Sequence, residues 1–175
     1  MISTKLIEMA LLPILRFPDS RLHRIAETVT HFDPSLTRLA TDMAETMYQA
    51  KGIGLAATQV NVHRRVIVVD VSESKDDCLT LINPEIIETH SIQTCEEGCL
   101  SVPGIFEKVS RAESICVSYT SLKGENQELR ADALLAACIQ HEIDHLNGKV
   151  FIQYLSQLKQ SRIRSKMIRT ARETL

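Results

Sequence analysis

Apolar residues recur at helical spacing in three parts of the chain. The first pattern opens at Asp33-Pro34, a pair typical of a helix start, and Gly52 follows its last apolar residue as a stop signal. The second pattern covers residues 131–148, ADALLAACIQHEIDHLNG, and its final Asn-Gly pair is a common helix end. A third pattern runs from about Tyr154 towards the C-terminus. The spacing therefore predicts three helices.

Short runs of apolar and β-branched residues predict strands between these helices. The runs are RRVIVVDV, CLTLIN and SICVSYT, at residues 64–71, 78–83 and 114–120. A turn at 123–125 then leads into a further short strand. Because strands and helices are segregated rather than alternating, the pattern predicts an α+β fold.

Composition places the chain among ordinary globular proteins. It has 175 residues, of which 44% are hydrophobic and 24% charged, and its net charge is −2, so nothing in the overall balance requires a nucleic-acid partner. Lys5 and Glu8 interrupt the first ten residues, which argues against an export signal, and no apolar run approaches the roughly 20 residues of a membrane span. We therefore expect a cytoplasmic protein with no membrane partner. Its cysteines are then core residues or metal ligands, and the core assignment is made for Cys78, Cys116 and Cys138.

The segment QHEIDHLNG carries the clearest chemical signal. His141 and His145 are four residues apart, so they lie on one face of a helix with Glu142 beside them. The spacing could arise by chance, or the rings could be core histidines bonded to backbone. Burying two imidazoles and a carboxylate on an apolar face is costly, however, and a divalent cation offsets that cost. The motif therefore indicates a site for a divalent metal ion.

Two histidines do not complete a catalytic site, which uses three protein ligands and keeps one position open. The long protease motif would need histidine at position 151, where this chain has Phe151. Between Leu146 and Arg172 there is no Asp, Glu, His or Cys, so a third ligand must lie upstream. The segment CEEGCLSVPG offers Cys95 and Cys99, and ligand chemistry alone does not choose between them.

The segment GIGLAATQV, residues 52–60, matches the glycine spacing of a dinucleotide-binding fingerprint. That fingerprint requires a strand before the glycines and a helix after them, whereas the predicted order here is helix, glycines, strand. We reject nucleotide binding for this reason. Small residues leave the backbone accessible to a ligand, and the amide of Gln59 is a neutral donor suited to developing negative charge.

Taken together, GIGLAATQV, EEGCLS and QHEIDHL resemble the three motifs of bacterial peptide deformylases, in particular the type 1 branch. The resemblance includes LPILRFPD and LINPEI and spans nearly the whole chain; residues before Leu11 look like an extension without an assigned role. It implies one domain over residues 1–175, with mixed or antiparallel β-sheets packed around a central metal-binding helix. A basic C-terminal helix would occupy residues 154–175.

The resemblance also implies an activity: removal of the formyl group from the N-terminal formyl-methionine of nascent polypeptides, with release of formate. It implies one divalent metal ion per chain, Fe²⁺ first, with Zn²⁺ or Ni²⁺ accepted. Glu142 would be the catalytic acid/base, and the Gln59 amide and the Leu100 N–H would be oxyanion donors. The implied metal ligands are Cys99, His141 and His145.

Substrate binding is expected to use an extended peptide and an apolar pocket. By resemblance, the peptide pairs with backbone near Ile53-Gly54 and Gly98, in a strand-addition mode. Helix geometry predicts that the residues one and two turns before His141 form walls of the methionine pocket. Ordinary core packing would also explain apolar residues at these positions. These residues are Leu134, Ala137 and Cys138, to which the resemblance adds Ile53, Cys95 and Glu97. Phe106 follows in a segment that varies among relatives, which leaves preferences beyond methionine open.

The C-terminal segment is basic. Residues 156–175 contain six Lys or Arg and one Glu, a pattern typical of a solvated helix face or of an electrostatic contact with RNA. The resemblance favours docking on the ribosome. For the chain as a whole two other functions are considered: a His-Glu-x-x-His metallopeptidase cleaving internal bonds, and a binding module whose metal is closed by a fourth ligand such as Cys95.

Overall fold

The structure, a computed structural model, describes residues 10–173. Its helices are α1, Pro34–Gln49; α2, Ala133–Leu146; and α3, Gln157–Glu173. Asp33 caps α1, because its carboxylate accepts hydrogen bonds from the backbone N–H groups of Ser35 and Leu36. The three predicted helices are confirmed, but α3 begins at Gln157, since Phe151–Tyr154 forms a separate 3₁₀ turn.

The five strands form one antiparallel sheet in the order β1-β2-β3-β4-β5. Their bounds are β1, Gly54–Ala56; β2, Val66–Val69; β3, Leu79–Cys99; β4, Val102–Thr120; and β5, Asn126–Asp132. The α+β prediction is confirmed. The sequence pattern predicted strands much shorter than β3 and β4. The distal parts of this long hairpin are largely solvent-exposed and therefore carry no continuous apolar run.

Strand β2 is buried on both faces between two helices. Val66 and Val68 pack in a cluster with α1, whereas Ile67 and Val69 pack in a cluster with α2. Successive strand residues point to opposite faces, so a strand covered on both sides needs apolar residues throughout. This explains the unbroken VIVV run. Helix α2 itself contacts all five strands, which gives it a central position among the described residues.

The hairpin of β3 and β4 brings distant residues to α2. Its two-residue connection is Leu100-Ser101, with Cys99 paired to Val102, and the register shifts between Gly98 and Cys99. The tip packs against buried Phe151 and against the side of α3 that carries Ile163 and Met167. The fold thereby fixes Cys99 beside the C-terminal half of α2.

Cysteine burial follows the prediction in two of three cases. Cys116 and Cys138 are buried, but Cys78 is exposed, because it stands before β3 in the loop that follows Asp70 rather than inside the strand. Among residues 10–173, no helix combines the length and the apolar character needed to cross a bilayer. The proposed N-terminal extension falls almost wholly outside the described residues, and the single-domain assignment over 1–175 stays a prediction.

Candidate metal and active site

Three potential metal ligands converge between the hairpin tip and α2. A sulfur from Cys99 and one nitrogen each from His141 and His145 all lie within 4.8 Å of one another. The Cys99 Sγ to His145 Nε2 distance is 3.2 Å. Within residues 10–173 no fourth His, Cys, Asp or Glu joins this group. Cys95 instead directs its Sγ to Glu97 Oε1, 3.7 Å away, so the group has the three-ligand form of an open site.

The donor set fits a divalent transition metal. A thiolate and two imidazoles suit Fe²⁺, Zn²⁺ or Ni²⁺ far better than the oxygen-preferring Mg²⁺ or Ca²⁺. Burial and the neighbouring His141 hold the pKa of His145 well below its usual value, which keeps this ring in the neutral form that binds a cation. On the same helix, Glu142 Oε2 is buried without a hydrogen-bond partner among the described residues. Unsatisfied polar atoms of this kind are typical of a site that holds a further group.

A carboxylate orients one of the two imidazoles. Glu97 Oε2 lies 2.9 Å from His141 Nδ1, which leaves the other ring nitrogen for the cluster. Arg111 donates two hydrogen bonds to the same carboxylate, from Nε to Oε1 at 2.7 Å and from Nη2 to Oε2 at 3.0 Å. Burial by itself would raise the pKa of Glu97, but the hydrogen bonds from His141 and Arg111 outweigh it and hold that pKa at about 2.

The ion-pair network continues behind the site. The other Nη atom of Arg111 lies 2.6 Å from Asp144 Oδ2, and the hydroxyl of Tyr154 donates to the same oxygen at 2.8 Å. The Arg111 guanidinium also sits 4.9 Å above the Tyr154 ring. Sequence reasoning missed Arg111 entirely, because nothing local in β4 marks it. Asp144 belongs to the motif QHEIDHLNG, but the sequence did not indicate that Arg111 would be its partner.

Glu142 has an environment opposite to that of Glu97. Its side chain is buried, and this burial raises the pKa of Glu142 to about 7. A carboxyl group whose pKa lies near neutrality is suited to accept a proton and return it. Gly54 makes room for the carboxylate, since a Cβ at position 54 would collide with Glu142 Oε1 and would lie 2.7 Å from the Cys138 sulfur. Glycine is thus required here for close approach rather than for flexibility.

The amide of Gln59 is held in one orientation. Its Oε1 accepts a hydrogen bond from the Ala56 N–H at 2.8 Å, so Nε2 faces the cluster. Nε2 lies 3.1 Å from Ser101 Oγ and 3.6 Å from Cys99 Sγ. Leu100 follows Cys99 in the hairpin turn, and Ser101 is a neighbour that the sequence did not single out.

A cavity of about 560 Å³ opens beside the cluster. All eight residues predicted to bind substrate line this cavity: Ile53, Gly54, Cys95, Glu97, Gly98, Leu134, Ala137 and Cys138. Cys99, Leu100, His141 and Glu142 line it as well, whereas Gln59 and His145 do not. The sequence missed Lys51 and Pro103 on its wall. A second, larger depression of about 800 Å³ lies on another face of α2 and contains none of the three cluster residues.

Three convergent ligands, an open position and a buried carboxylate on the ligand-bearing helix define a metal-dependent hydrolase. The sequence profile of the polypeptide deformylase family matches residues 11–161. Peptide deformylase 2 of Nitrosomonas europaea is 58% identical over 95% of this chain and 90% of its own. The peptide deformylase of Chromobacterium violaceum is 54% identical over 95% of this chain and all of its own. The crystal structure of a peptide deformylase from Legionella pneumophila superposes with a TM-score of 0.90 at 45% identity, covering 94% of this chain and 98% of that one.

The chain belongs to the polypeptide deformylase family. It is a metal-dependent hydrolase that removes the formyl group from nascent peptides. The fold prediction and the recognition of the three sequence motifs are confirmed. The alternative of a metallopeptidase that cleaves internal bonds is not supported by these relatives.

Proposed function

We propose that Cys99, His141 and His145 hold one divalent cation per chain, with Fe²⁺ as the first choice and Zn²⁺ or Ni²⁺ as substitutes. The observation that carries this proposal is the approach of the three ligand atoms to within 4.8 Å of one another, on the helix that also carries Glu142, whose Oε2 has no hydrogen-bond partner among residues 10–173. When bound, the cation supplies Lewis acidity, which makes water a competent nucleophile near neutral pH.

Glu142 acts as the proton-transfer group in this proposal. Its carboxylate accepts the proton of the attacking water and then passes it to the nitrogen of the leaving amine. The separate role of Glu97 is to orient His141, since its oxygens are occupied by His141 and Arg111. Two donors then serve the oxygen of the formyl group as negative charge develops there: Nε2 of Gln59 and the backbone N–H of Leu100. Each such donor is worth roughly 3 kcal/mol to the transition state.

The peptide binds in an extended form along the cavity. β1 lies at the edge of the sheet formed by the described residues, so one of its sides has no strand partner and suits strand addition near Ile53-Gly54. Gly98 offers a second backbone contact across the cavity. The methionine side chain enters between Leu134, Ala137 and Cys138, where the wall is largely apolar.

The test is the release of formate from formyl-Met-Ala-Ser by anaerobically purified protein, with metal content measured on the same sample. Unformylated Met-Ala-Ser and an internal-bond peptide serve as controls. We expect formate and one new amine per formylated peptide, and no product from either control. Iron in stoichiometric amount supports Fe²⁺. A fully metallated protein that releases no formate would contradict the proposal.

We further propose that α3 docks the enzyme on ribosomal RNA, which places it in the cytoplasm where nascent chains emerge. One side of α3 is buried through Ile163 and Met167. Arg162, Lys166 and Arg169 are exposed at positions i, i+4 and i+7 and form a basic stripe on the helix surface. Lys159 and Arg164 contribute less, because Lys159 pairs with Glu107 at 2.6 Å and Arg164 stacks 5.9 Å from Phe17.

Charge reversal of the stripe tests this docking. The variant Arg162→Glu/Lys166→Glu/Arg169→Glu should lose ribosome cosedimentation at low salt and still release formate from short peptides. The matched control, Lys75→Glu/Lys123→Glu/Arg130→Glu, changes net charge equally at exposed positions away from α3 and should still cosediment. Equal loss of cosedimentation in both variants would show that net charge alone causes the effect. Unchanged cosedimentation of the α3 variant would contradict the docking proposal.

A further inference from the structure

Positive charge is concentrated in a second region of the chain besides α3. Residues 16–27, 63–65 and 147–149 contain six Lys or Arg and two acids, although the whole chain has a net charge of −2. Outside these segments and residues 156–175, the chain has eight Lys or Arg and nineteen Asp or Glu. The two basic regions therefore stand out from an acidic remainder. We call the second one the second basic surface; its cations are Arg16, Arg21, Arg24, Arg64, Arg65 and Lys149.

Backbone hydrogen bonds hold the three segments side by side. The N–H of Ala26 donates to the carbonyl of Leu146 at 2.8 Å. The N–H of Glu27 donates to the carbonyl of His63 at 2.9 Å, and the N–H of Arg65 donates back to the carbonyl of Glu27 at 2.9 Å. Segments that are far apart in sequence thus bring their cations into one region of the molecule.

Most cations of the second basic surface have no acidic partner. Four of them form no ion pair within residues 10–173: Arg16, Arg24, Arg64 and Lys149. Arg65 donates to two neutral oxygens, Asn147 Oδ1 at 3.0 Å and Pro84 O at 3.2 Å. Arg21 differs, because it pairs with Asp19 at 2.6 Å. Cations without an internal counter-charge create a positive field that attracts an external anion.

The second basic surface adjoins α3. Phe17 packs in one cluster with Ile163 and Met167, the two residues that bury one side of α3. The Arg164 guanidinium lies 5.9 Å from the centroid of the Phe17 ring. The segment 16–27 therefore lies directly against the helix that carries the basic stripe, so one long polyanion can contact both surfaces.

The residue types favour a phosphate polymer as the partner. Five of the six cations are arginines, whose planar guanidinium groups donate pairs of hydrogen bonds to phosphate oxygens. Ile25, 71% exposed, is the only large apolar side chain that stands exposed in these three segments, all of which the structure describes. A membrane-surface site would need an apolar face beside its charges. The phosphate backbone of RNA fits this surface better than a bilayer does.

We propose that the second basic surface binds the phosphate backbone of ribosomal RNA at the same time as α3 does. This inference rests on the docking of α3 proposed above and adds a separate contact to it. Once α3 is bound, the second contact forms within the same complex, so the two together bind more tightly than either alone. Two adjoining contacts also fix the orientation of the enzyme on the RNA.

The experiment measures the affinity of the full-length, metal-loaded protein for protein-free RNA of the large ribosomal subunit between about 50 and 200 mM KCl. The variant Arg24→Gln/Arg64→Gln/Lys149→Gln removes three charges that form no ion pair within residues 10–173. We expect it to bind about 10-fold more weakly than the native protein. Its slope of log affinity against log salt should be smaller by about 2, since each lost phosphate contact contributes roughly 0.7–0.9.

The matched control is Lys75→Gln/Lys123→Gln/Arg130→Gln, which changes net charge equally at exposed positions outside both basic surfaces. It should bind within twofold of the native affinity and keep the native slope. Formate release from formyl-Met-Ala-Ser and the thermal midpoint should match those of the native protein in both variants. If the triple variant has a lower midpoint, Arg24→Gln/Lys149→Gln decides, with an expected slope change of about 1.

Three results would overturn the inference: native affinity and slope in the Arg24/Arg64/Lys149 variant, an equal loss of affinity in this variant and the control, or native binding to anionic lipid vesicles without binding to RNA. Weakened binding by the α3 variant alone rejects the second basic surface and leaves the docking of α3 in place. Absence of RNA binding by the native protein rejects both docking proposals. Formate release tests the proposed activity separately, because none of the substituted residues lines the active-site cavity.

Discussion

Glu97 Oε2 lies 2.9 Å from Nδ1 of His141, although 44 residues separate the two in sequence. The hydrogen bond fixes which ring nitrogen faces the ligand cluster, and the two contacts from Arg111 prevent the carboxylate from rotating. Outer partners of this kind make a ligand a stronger base and hold its ring in place. The geometry of the ligand cluster therefore depends on a charge pair, Glu97 and Arg111, that lies outside the cluster.

Glu97→Gln is predicted to weaken metal binding about 10- to 100-fold, the usual cost of removing an outer-sphere partner. The substitution preserves size but removes the charge that Arg111 and His141 share. Metal affinity is measured by competition with a chromogenic chelator. Glu96→Gln, one residue earlier and exposed, is the matched control and should bind as the native protein does. Equal affinities for the native protein and Glu97→Gln would exclude an orienting role for Glu97.

The same carboxylate is predicted to make the fold acid-sensitive. The pKa of Glu97 is about 2 in the folded chain against 4.5 as the reference, so its ionised form stabilises the fold above about pH 4.5. That contribution, on the order of 3 kcal/mol, is lost as pH falls from 4.5 towards 2.

Chemical denaturation of the metal-free protein between pH 2 and 7 measures this contribution. The native protein should lose more stability than Glu97→Gln as pH falls below 4.5, because the variant has no carboxylate to protonate. Parallel pH profiles for the two proteins would show that Glu97 titrates normally in the fold.

Glu142→Gln is predicted to retain metal and lose turnover by about 100-fold or more, the usual contribution of a general base. The carboxylate is not one of the three clustered ligands, so the metal content should be unchanged. Formate release and metal content are measured on the same preparation, with exposed Glu128→Gln as a control. Loss of metal together with turnover would mean that Glu142 supports the site structurally.

Gly54→Ala is predicted to lower kcat about 100-fold, because misplacing a reacting group by about 1 Å can cost that much. The added methyl group would collide with Glu142 Oε1 and with the Cys138 sulfur, so both side chains must shift, the catalytic carboxylate among them. Measuring kcat and KM separately identifies the cause: a change in KM alone would point to peptide pairing at β1 instead.

The helix-borne half of the site was predictable from local sequence. His141, Glu142 and His145 are placed relative to one another by helix geometry, which the apolar spacing of residues 131–148 already implies. The α+β class was predictable for a similar reason, since β2 is buried on both faces and shows an unbroken apolar run. Much of β3 and β4 was not, because exposed strands obtain their hydrogen bonds from a partner that no local pattern identifies.

Ligand chemistry leaves Cys95 and Cys99 open, the family resemblance favours Cys99, and the physical reason for that preference is visible only in the tertiary structure, where Cys99 joins the two histidines. Cys95 and Cys99 are equivalent as chemistry, but they lie four residues apart on a strand, roughly 13 Å in extended chain, so one cation cannot reach both without a bend. The hairpin turn at Leu100-Ser101 puts Cys99 beside His145 and leaves Cys95 on the cavity wall. Arg111 likewise acquires its role through β4 packing on α2. Helical spacing relates residues a few positions apart, so the local sequence predicts it. Contacts across a hairpin or between a helix and a sheet join residues far apart in sequence, so they form only when the chain folds.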